Sequence, residues 1–544
     1  MKIPLEKLTN HANSYAAANG LQVEVKRDKT DSKSVAYQCA PISLLPNAFP
    51  SSAFQDAKCL APYFNLLVDR ISKDGTFLHD TLGGEHGVVS KDDYTKKLLE
   101  LYTDIYMKED DNRPNFAKEA DALGITRSDY MLNPIDGNID NGYGLKQVEL
   151  NTIAASFAGL AVNVAGLHKQ LTERFDLELE EWLDTNRKAV MGQEYSARED
   201  TEVGVPTNPA LTNLPNAMNV AHENYISKYS PSIPTVVLFV VQEGETNTVD
   251  QRMLEFQLWN NHKVPVVRMS LTKAKSQLKM DEVTGALYIS PDASGDGSVG
   301  SIPTKYEVSL VYFRAGYAPT DYPDGYDGIE WESRETIERS RATKCPNLGY
   351  HLAGTKKVQQ ELARHGVVEN FFGKDEIGKI IDIENMREAF AGLYSLGEDV
   401  TDVDLAAVNE VITGKEDQYV LKPQREGGGY NYYGSNMAKK IGENISRNKD
   451  GTISLGEDLA EFILMQRLFP PKQSAVLLRA GLVEGNGPSE SISELGCFGT
   501  IVRGSDGKII HNEYSGFLLR TKFSNVDEGG VASGFATLSS PYLC

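Results

Sequence analysis

Short apolar runs rich in β-branched residues punctuate the chain: Thr235 to Val241, Val264 to Val267, Val308 to Phe313 and Tyr419 to Leu421. Each has the length and composition of a buried strand. Helical patterns lie between them, around Phe175 to Trp182 and over Lys356 to Leu362, the latter behind the candidate cap Thr355. Strands alternating with helices predict an α/β architecture containing parallel sheet. Three segments lose periodicity, residues 190–217, 286–304 and 434–455; their Gly, Pro, Asn and Asp predict surface insertions. The second contains a literal G-x-G-x-x-G at 295–300, but it runs into Pro303 and a strand rather than opening a helix, so it reads as turn chemistry. No internal repeat is apparent.

Charge narrows the function. The 544 residues carry 55 basic and 76 acidic side chains, a formal charge of −21 at pH 7. A surface this acidic disfavours a phosphate backbone as a general partner, so nucleic acid is not expected. No run approaches the roughly 20 apolar residues of a membrane span, and the N-terminus lacks the apolar core of a secretory signal, so a cytoplasmic protein is expected. The five cysteines, Cys39, Cys59, Cys345, Cys497 and Cys544, form no C-x-x-C pair, and read as ordinary thiols rather than disulfide or zinc ligands.

Two stretches carry candidate chemistry. At 419–433 a strand delivers Lys422, Arg425 and Glu426 into Gly427, Gly428 and Gly429. Glycines let backbone N–H groups approach an anion, a lysine supplies phosphate charge and a carboxylate can hold Mg²⁺, as a nucleoside triphosphate requires. A hairpin with solvated charges is the alternative. No Walker motif occurs. At 147–156, alternation places Glu149 and Asn151 on one strand face and Val148 and Leu150 on the other. Two oxygen-bearing side chains at i and i+2 can share a hard cation, or form an ordinary exposed face.

The phrases VELNTIAASFAGL, VYFRAGY, ERSRATKCPNLGYHLAGTKKVQQEL, LKPQREGGG, SELGCFG, LLRTK and EGGVASG, in family order within a match from about residue 120 to the C-terminus, closely resemble eukaryotic-type glutathione synthetase. The resemblance implies an ATP-grasp fold with a mobile glycine-rich lid and an inserted parallel-sheet substrate-binding domain. It also implies a homodimer, two Mg²⁺ ions per active site, and ATP-dependent ligation of γ-glutamylcysteine to glycine through an acyl phosphate. The expected division is 1–217 for the N-terminal part of the main body, 218–348 for the substrate-binding part, and 349–544 for the C-terminal part with the lid at about 395–490. Homoglutathione synthesis from β-alanine, or a non-catalytic nucleotide-binding relative, are the alternatives.

Carried over position by position, the family's metal ligands fall on Glu149, Asn151 and Glu426. Its ATP contacts fall on Glu149, Lys356, Lys422, Glu426, Gly427 to Gly429, Asn431, Tyr433, the segment Met465, Gln466, Arg467 and Leu468, then Glu494, Lys522 and Glu528. Dipeptide contacts fall on Arg127, Ala154, Ala155, Ser156, Glu245, Thr246, Asn247, Gln251, Arg314, Tyr317, Arg520, Val531 and Ala532. The catalytic set is Arg520, which would stabilise developing negative charge, Lys356 and Lys422 as phosphate counter-charges, and Gly427, Gly428 and Gly429. Arg127 and Arg314 would clamp substrate carboxylates. Three departures stand out: Ala154 replaces a frequent Ser, Gln466-Arg467 replaces Glu-Lys, and residues 1 to about 115 match weakly.

Overall fold

The computed structural model describes residues 3–25, 35–85, 87–109, 114–192, 203–289, 305–378, 381–424, 430–449 and 452–544. Helix α1 (Ser51–Ile71) buries Phe54, Ala57, Leu60, Phe64, Leu67, Val68 and Ile71, a stripe at three- and four-residue spacing that needs a partner face. Its partner is a mixed sheet of fifteen strands among the described residues. In chain order the elements that place the site are β1 (Ala122–Pro134), β2 (Tyr143–Asn151), α2 (Ala158–Arg174), α3 (Asp176–Met191), α4 (Ala210–Tyr229), β3 (Thr235–Val240), α5 (Thr248–Gln257), β4 (Val266–Met269), β5 (Tyr306–Phe313), β6 (Thr343–Cys345) and α6 (Lys356–Ala363). They continue with β7 (Leu393–Ser395), β8 (Tyr419–Pro423), β9 (Tyr432–Tyr433), α7 (Gly434–Gly442), β10 (Phe462–Gln466), β11 (Ser489–Arg503) and β12 (Ile509–Phe523).

The sheet has two limbs. Strands β4, β3, β5, β6 and the start of β1 run parallel, as the β-branched runs predict. From there β1 pairs antiparallel with β2 on one side and β11 on the other, and β11 pairs with β12. The predicted parallel sheet is therefore one limb of a mixed sheet. The 15-residue strands β11 and β12 escape period-two reading because β11 is buried on both faces over most of its length. α1 covers one face with Leu495, Cys497, Ile501, Phe517 and Leu519. α2 and α4 cover the other with Leu123, Ile125, Phe498, Val502 and Leu518. A separate four-stranded sheet, β7–β10–β8–β9, has its own small core with Leu421, Met437, Ile441 and Leu464.

The three aperiodic segments are corrected in part. Ala210, Leu214, Pro215 and Ala217 are buried in the first turns of α4, so 210–217 is core helix behind Pro209 rather than surface insertion. Leu287–Ile289 is a strand of the large sheet with Leu287 and Ile289 buried, while 290–304, including the glycine motif, lies outside the described residues. Residues 434–455 hold α7 and a small hairpin, Ile445–Arg447 with Ile453–Leu455. Thr355 is the N-cap residue of α6, as expected, but its side chain makes no capping bond; its hydroxyl donates to the Leu352 carbonyl at 2.9 Å. All five cysteines are free. Among the described residues no helix is long and apolar enough to cross a membrane.

Asp69 on α1 ties helix to sheet. It is 2 % exposed and accepts from Arg503 Nε on β11 and from the Tyr350 hydroxyl, both at 2.7 Å, and from Lys73 Nζ at 2.8 Å. Burial alone would raise its pKa, but Arg503, Lys73 and Tyr350 together hold it below the usual carboxylate range. A depressed folded pKa contributes stability that is complete above the unfolded value of about 4 and is lost as pH falls through the folded value. Asp69→Asn is expected to cost about 3 to 5 kcal/mol near neutral pH, and urea unfolding from pH 6 to pH 3 should show that deficit shrinking. A pH-independent deficit would contradict this account. Gly516, at φ +122°, lets α4 close on β12: a Cβ there would meet Ala210 Cβ at 2.5 Å and Cα at 2.7 Å. Gly516→Ala should destabilise by about 2 to 4 kcal/mol, read by the same unfolding assay.

Candidate active site

The apolar face shared by β1, β11 and β12 turns charged at one height. On β1, Leu123 and Ile125 are followed on the same face by Arg127 and Asp129; on β11, Val502 and Phe498 by Gly496 and Glu494; on β12, Leu518 by Arg520 and Lys522. Register aligns these positions: Asp129 stands opposite both Gly496 and Glu149, Arg127 opposite Asn151, and Glu494 opposite Arg520. Gly496 is required, since a Cβ there would lie 2.7 Å from Asp129 Oδ1 and 2.9 Å from Arg127 Cδ. Alternation on β2 holds as read, with Glu149 and Asn151 on the cleft face and Leu150 in the core.

Asp129, fully buried, is the hub. Arg127 donates to both its oxygens, from Nε at 2.6 Å and Nη2 at 2.7 Å. Arg520 Nη2 donates to Oδ2 at 2.8 Å and also to Glu494 Oε1, and Asn151 Nδ2 donates to Asp129 Oδ2 at 2.9 Å. One oxygen each of Asp129, Glu149 and Glu494 lies within 4.8 Å of the others. Burial alone would raise the Glu149 pKa, yet Lys356, Arg520, Lys422 and Arg127 hold it down to about 2. Glu494 moves upward, through burial first and the neighbouring Asp129 and Glu149 charges, against the pull of Arg520. Lys422 moves downward through burial, with Glu149 opposing and Lys356 reinforcing the shift.

Two loops complete the wall. After β2 the chain turns through Ala154 at φ +51° and Phe157 at φ +72°, and Arg314 braces this turn from below. Arg314 Nη1 donates to the carbonyls of Ala154 and Ala155, each at 2.8 Å, and Nη2 to Ser156 Oγ at 2.5 Å. Asp250 at the start of α5 accepts from the backbone of Phe157 and Gly159, both at 2.8 Å, which fixes the start of α2. Opposite, Lys522 Nζ donates to the carbonyls of Asp527 at 2.6 Å and Glu528 at 2.9 Å, anchoring the loop 527–533. Between the loops lies a cavity of about 220 Å³ lined by Arg127, Glu149, Asn151, Ala154, Ala155, Ser156, Tyr317, Lys422, Glu494, Arg520, Val531 and Ala532.

The four-stranded sheet supplies the remaining side. Lys422 at the end of β8 donates to the Val148 carbonyl at 3.4 Å. Asn431 donates from its backbone and its amide to Glu528, each at 3.1 Å, and from the amide to the Tyr433 hydroxyl at 3.3 Å. A second cavity of similar size opens beside the first, lined by Val420, Met465, Gln466, Arg467, Leu468, Phe469 and Val526 and sharing Lys422, Tyr433 and Lys522 with it. Its apolar walls suit a flat heterocycle and its inner end carries the two lysines.

The residues singled out in the sequence do not all reach these cavities. Glu426, Gly427, Gly428 and Gly429 lie outside the described residues. Glu245 accepts from Gln251 Nε2 at 2.5 Å, and with Thr246 and Asn247 it precedes α5, outside the lining of either cavity; Gln251, within α5, and Arg314 also lie outside both linings. Lys356 lines a small neighbouring cavity with Tyr317 and His351. Sequence reading missed Asp129, Gly496, Asp250 and Asp527. Arg127 and Asp129 two apart, flanked by the apolar residues Leu123, Ile125, Tyr130 and Leu132, was the available signal, an ion pair on one strand face.

A family described as eukaryotic glutathione synthase, ATP binding domain, matches residues 3–543. That span includes the N-terminal part where the sequence phrases match weakly. Glutathione synthetase from Dictyostelium discoideum is 36% identical over 547 residues, covering 100% of both chains. The chloroplastic glutathione synthetase of Solanum lycopersicum is 37% identical, covering 99% of this chain and 84% of that protein. The Homo sapiens glutathione synthetase is 33% identical, covering 99% and 97%. A solved structure of a glutathione synthetase-like effector from Globodera pallida superposes with a TM-score of 0.67 at 20% identity, over 99% of this chain and 97% of that one, a likeness of fold. With a match across nearly its whole length and relatives at this identity, the chain belongs to the eukaryotic glutathione synthetase family.

Proposed function

We propose that the chain joins γ-glutamylcysteine to glycine, converting ATP to ADP and phosphate and releasing glutathione. The observation that carries this reading is the pair of adjoining cavities, one apolar and one charged, that share Lys422, Tyr433 and Lys522. A nucleotide in the apolar slot between Met465 and Leu468 would direct its phosphates past those lysines toward Arg520. The cysteinyl carboxylate takes the γ-phosphoryl group, giving an acyl phosphate and ADP. The glycine amine then attacks the acyl carbon, its excess proton passes to solvent or phosphate, and the C–O bond to phosphate breaks as the amide forms. Arg520 faces the charge that builds on the acyl phosphate. Arg127, already aligned by Asp129, presents the rest of its guanidinium to a substrate carboxylate.

Mg²⁺ fits the donor set. Glu149 is held ionised among hard oxygen donors, whereas Asp129 is occupied by two arginines. Glu149, Asn151 and Glu426 are the ligands assigned, for two ions per site, which would neutralise phosphate charge when bound. The reading extends to an ATP-grasp architecture in which the four-stranded sheet and Gly427 to Gly429 form a lid at about 395–490 that keeps water from the acyl phosphate. Part 218–348 is then the substrate-binding α/β part and 349–544 the C-terminal ATP-grasp part, in a cytoplasmic homodimer.

Release of ADP and phosphate by the purified chain, with γ-glutamylcysteine and glycine both required, tests the reading; ATP turnover independent of either would sink it. Small residues at 529–534 favour glycine over β-alanine, by roughly 10- to 200-fold in kcat/KM. Ala532→Leu should change that ratio in a folded protein, and an unchanged ratio places acceptor choice elsewhere. Glu149→Gln is expected to lower kcat by about two to three orders of magnitude and raise the Mg²⁺ needed for half-maximal rate. Near-normal turnover at the wild-type Mg²⁺ requirement would remove Glu149 from the metal site.

A further inference from the structure

Helix α6 opens with Lys356, but the polar residues behind it do not face solvent. Lys357, Gln359 and Gln360 are 7 %, 6 % and 0 % exposed on a helix only eight residues long. Buried polar side chains persist where their hydrogen bonds are met, and those of Lys357 and Gln359 are met by two different parts of the fold. Gln359 acts on β2: its Oε1 accepts from the Leu150 backbone at 2.8 Å, and its Nε2 donates to the Leu150 carbonyl at 3.4 Å and to Gly354 O at 2.8 Å. The primary amide thus pairs with β2 as a neighbouring peptide group would, at the residue between Glu149 and Asn151.

Lys357 acts on the four-stranded sheet. Its three ammonium donors go to Gln360 Oε1 at 2.6 Å, Ser395 Oγ at 2.9 Å and Asp399 Oδ2 at 2.6 Å. Ser395 ends β7, and its hydroxyl in turn donates to Asp399 Oδ1 at 2.6 Å. The Lys357 backbone N–H donates to the side chain of Gln424, two residues beyond Lys422, at 3.1 Å. One short helix therefore holds the strand carrying Glu149 and Asn151 and, from a residue two positions away, the sheet carrying Lys422.

We infer that α6 sets the distance between β2 and the four-stranded sheet, with Gln359 and Lys357 as positioning residues for the Mg²⁺ and phosphate ends of the nucleotide site. The inference rests on the proposed function, in which ATP lies between these two elements. The Lys357–Asp399 ion pair and the Gln424 contact tie α6 to the four-stranded sheet close to Lys422 on β8. Displacements of about 1 Å in such groups are enough to cost large factors in rate.

The test uses the full-length chain with ATP, γ-glutamylcysteine, glycine and Mg²⁺, comparing wild type, Lys357→Met, Lys357→Met/Asp399→Leu and Gln359→Leu. The measurements are KM for ATP, KM for the dipeptide, Mg²⁺ half-saturation and Tm. Lys357→Met should raise KM for ATP by about 5- to 20-fold, while KM for the dipeptide stays within about twofold. The double variant removes both ends of the Lys357–Asp399 pair together, Asp399 being one-third exposed and also paired with Arg364 Nη2 at 2.8 Å, and it should keep the raised KM for ATP. Gln359→Leu should raise the Mg²⁺ half-saturation by about 3- to 10-fold. A double variant with wild-type KM for ATP, or variants in which all constants worsen in proportion to lost Tm, would overturn the positioning role. A wild-type chain without ATP-dependent ligation would instead overturn the proposed function, which separates the two failures.

Discussion

One fully buried carboxylate organises the cleft. Asp129 accepts from Arg127, Arg520 and Asn151, and each of these would otherwise be a polar group in a wall made largely of sheet. An arginine without its counter-charge in such a place is costly, and one with it is rigid. The same anchoring explains why Glu149 can stay ionised beside two other carboxylates: four cations stand around it, and the two arginines among them are fixed by Asp129. The cleft is thus pre-charged and pre-aligned by the sheet itself, so that a ligand meets oriented groups rather than mobile ones.

The adjoining cavities extend this logic to water. Because Lys422, Tyr433 and Lys522 belong to both, the apolar slot and the charged pocket meet at a shared wall of side chains. Asn431 with Glu528, and Arg467 with Asp527 at 2.7 Å, join the four-stranded sheet to the loop 527–533 across the outer rim. A group passed between the two cavities would travel a short path with little solvent beside it.

How much of this was legible in the sequence depended on whether the cause was local. The parallel limb was, because β3 and β5 are continuous β-branched runs. The pairing of Glu149 with Asn151 was, because alternation needs only one strand. Lys422 was, as the end of a strand. Asp129 was not: its burial comes from β11, more than 350 residues downstream, and a single strand's letters do not state who covers it. β11 was hidden because a strand buried on both faces loses its period, and β12 because its exposure falls from one end to the other rather than alternating. The start of α4 was hidden by Pro209, Pro215 and three asparagines, which look like a loop until the alanines between them are seen against β12. Arg314 and the segment Glu245 to Gln251 were named by resemblance, and the fold shows them bracing the turn after β2 and the start of α5.

The position of β11 has a consequence for how the molecule is made. It lies between β1 and β12 in space, though it is among the last strands in sequence. During synthesis, β1 must wait for well over three hundred residues with one backbone edge bare and with Arg127 and Asp129 facing a gap. An unpaired edge of nine residues, Ala122 to Tyr130, invites pairing with another chain, so the interval before β11 arrives is when a nascent copy is most exposed to association. The cleft is therefore among the last features to form, and no partly made chain can carry it.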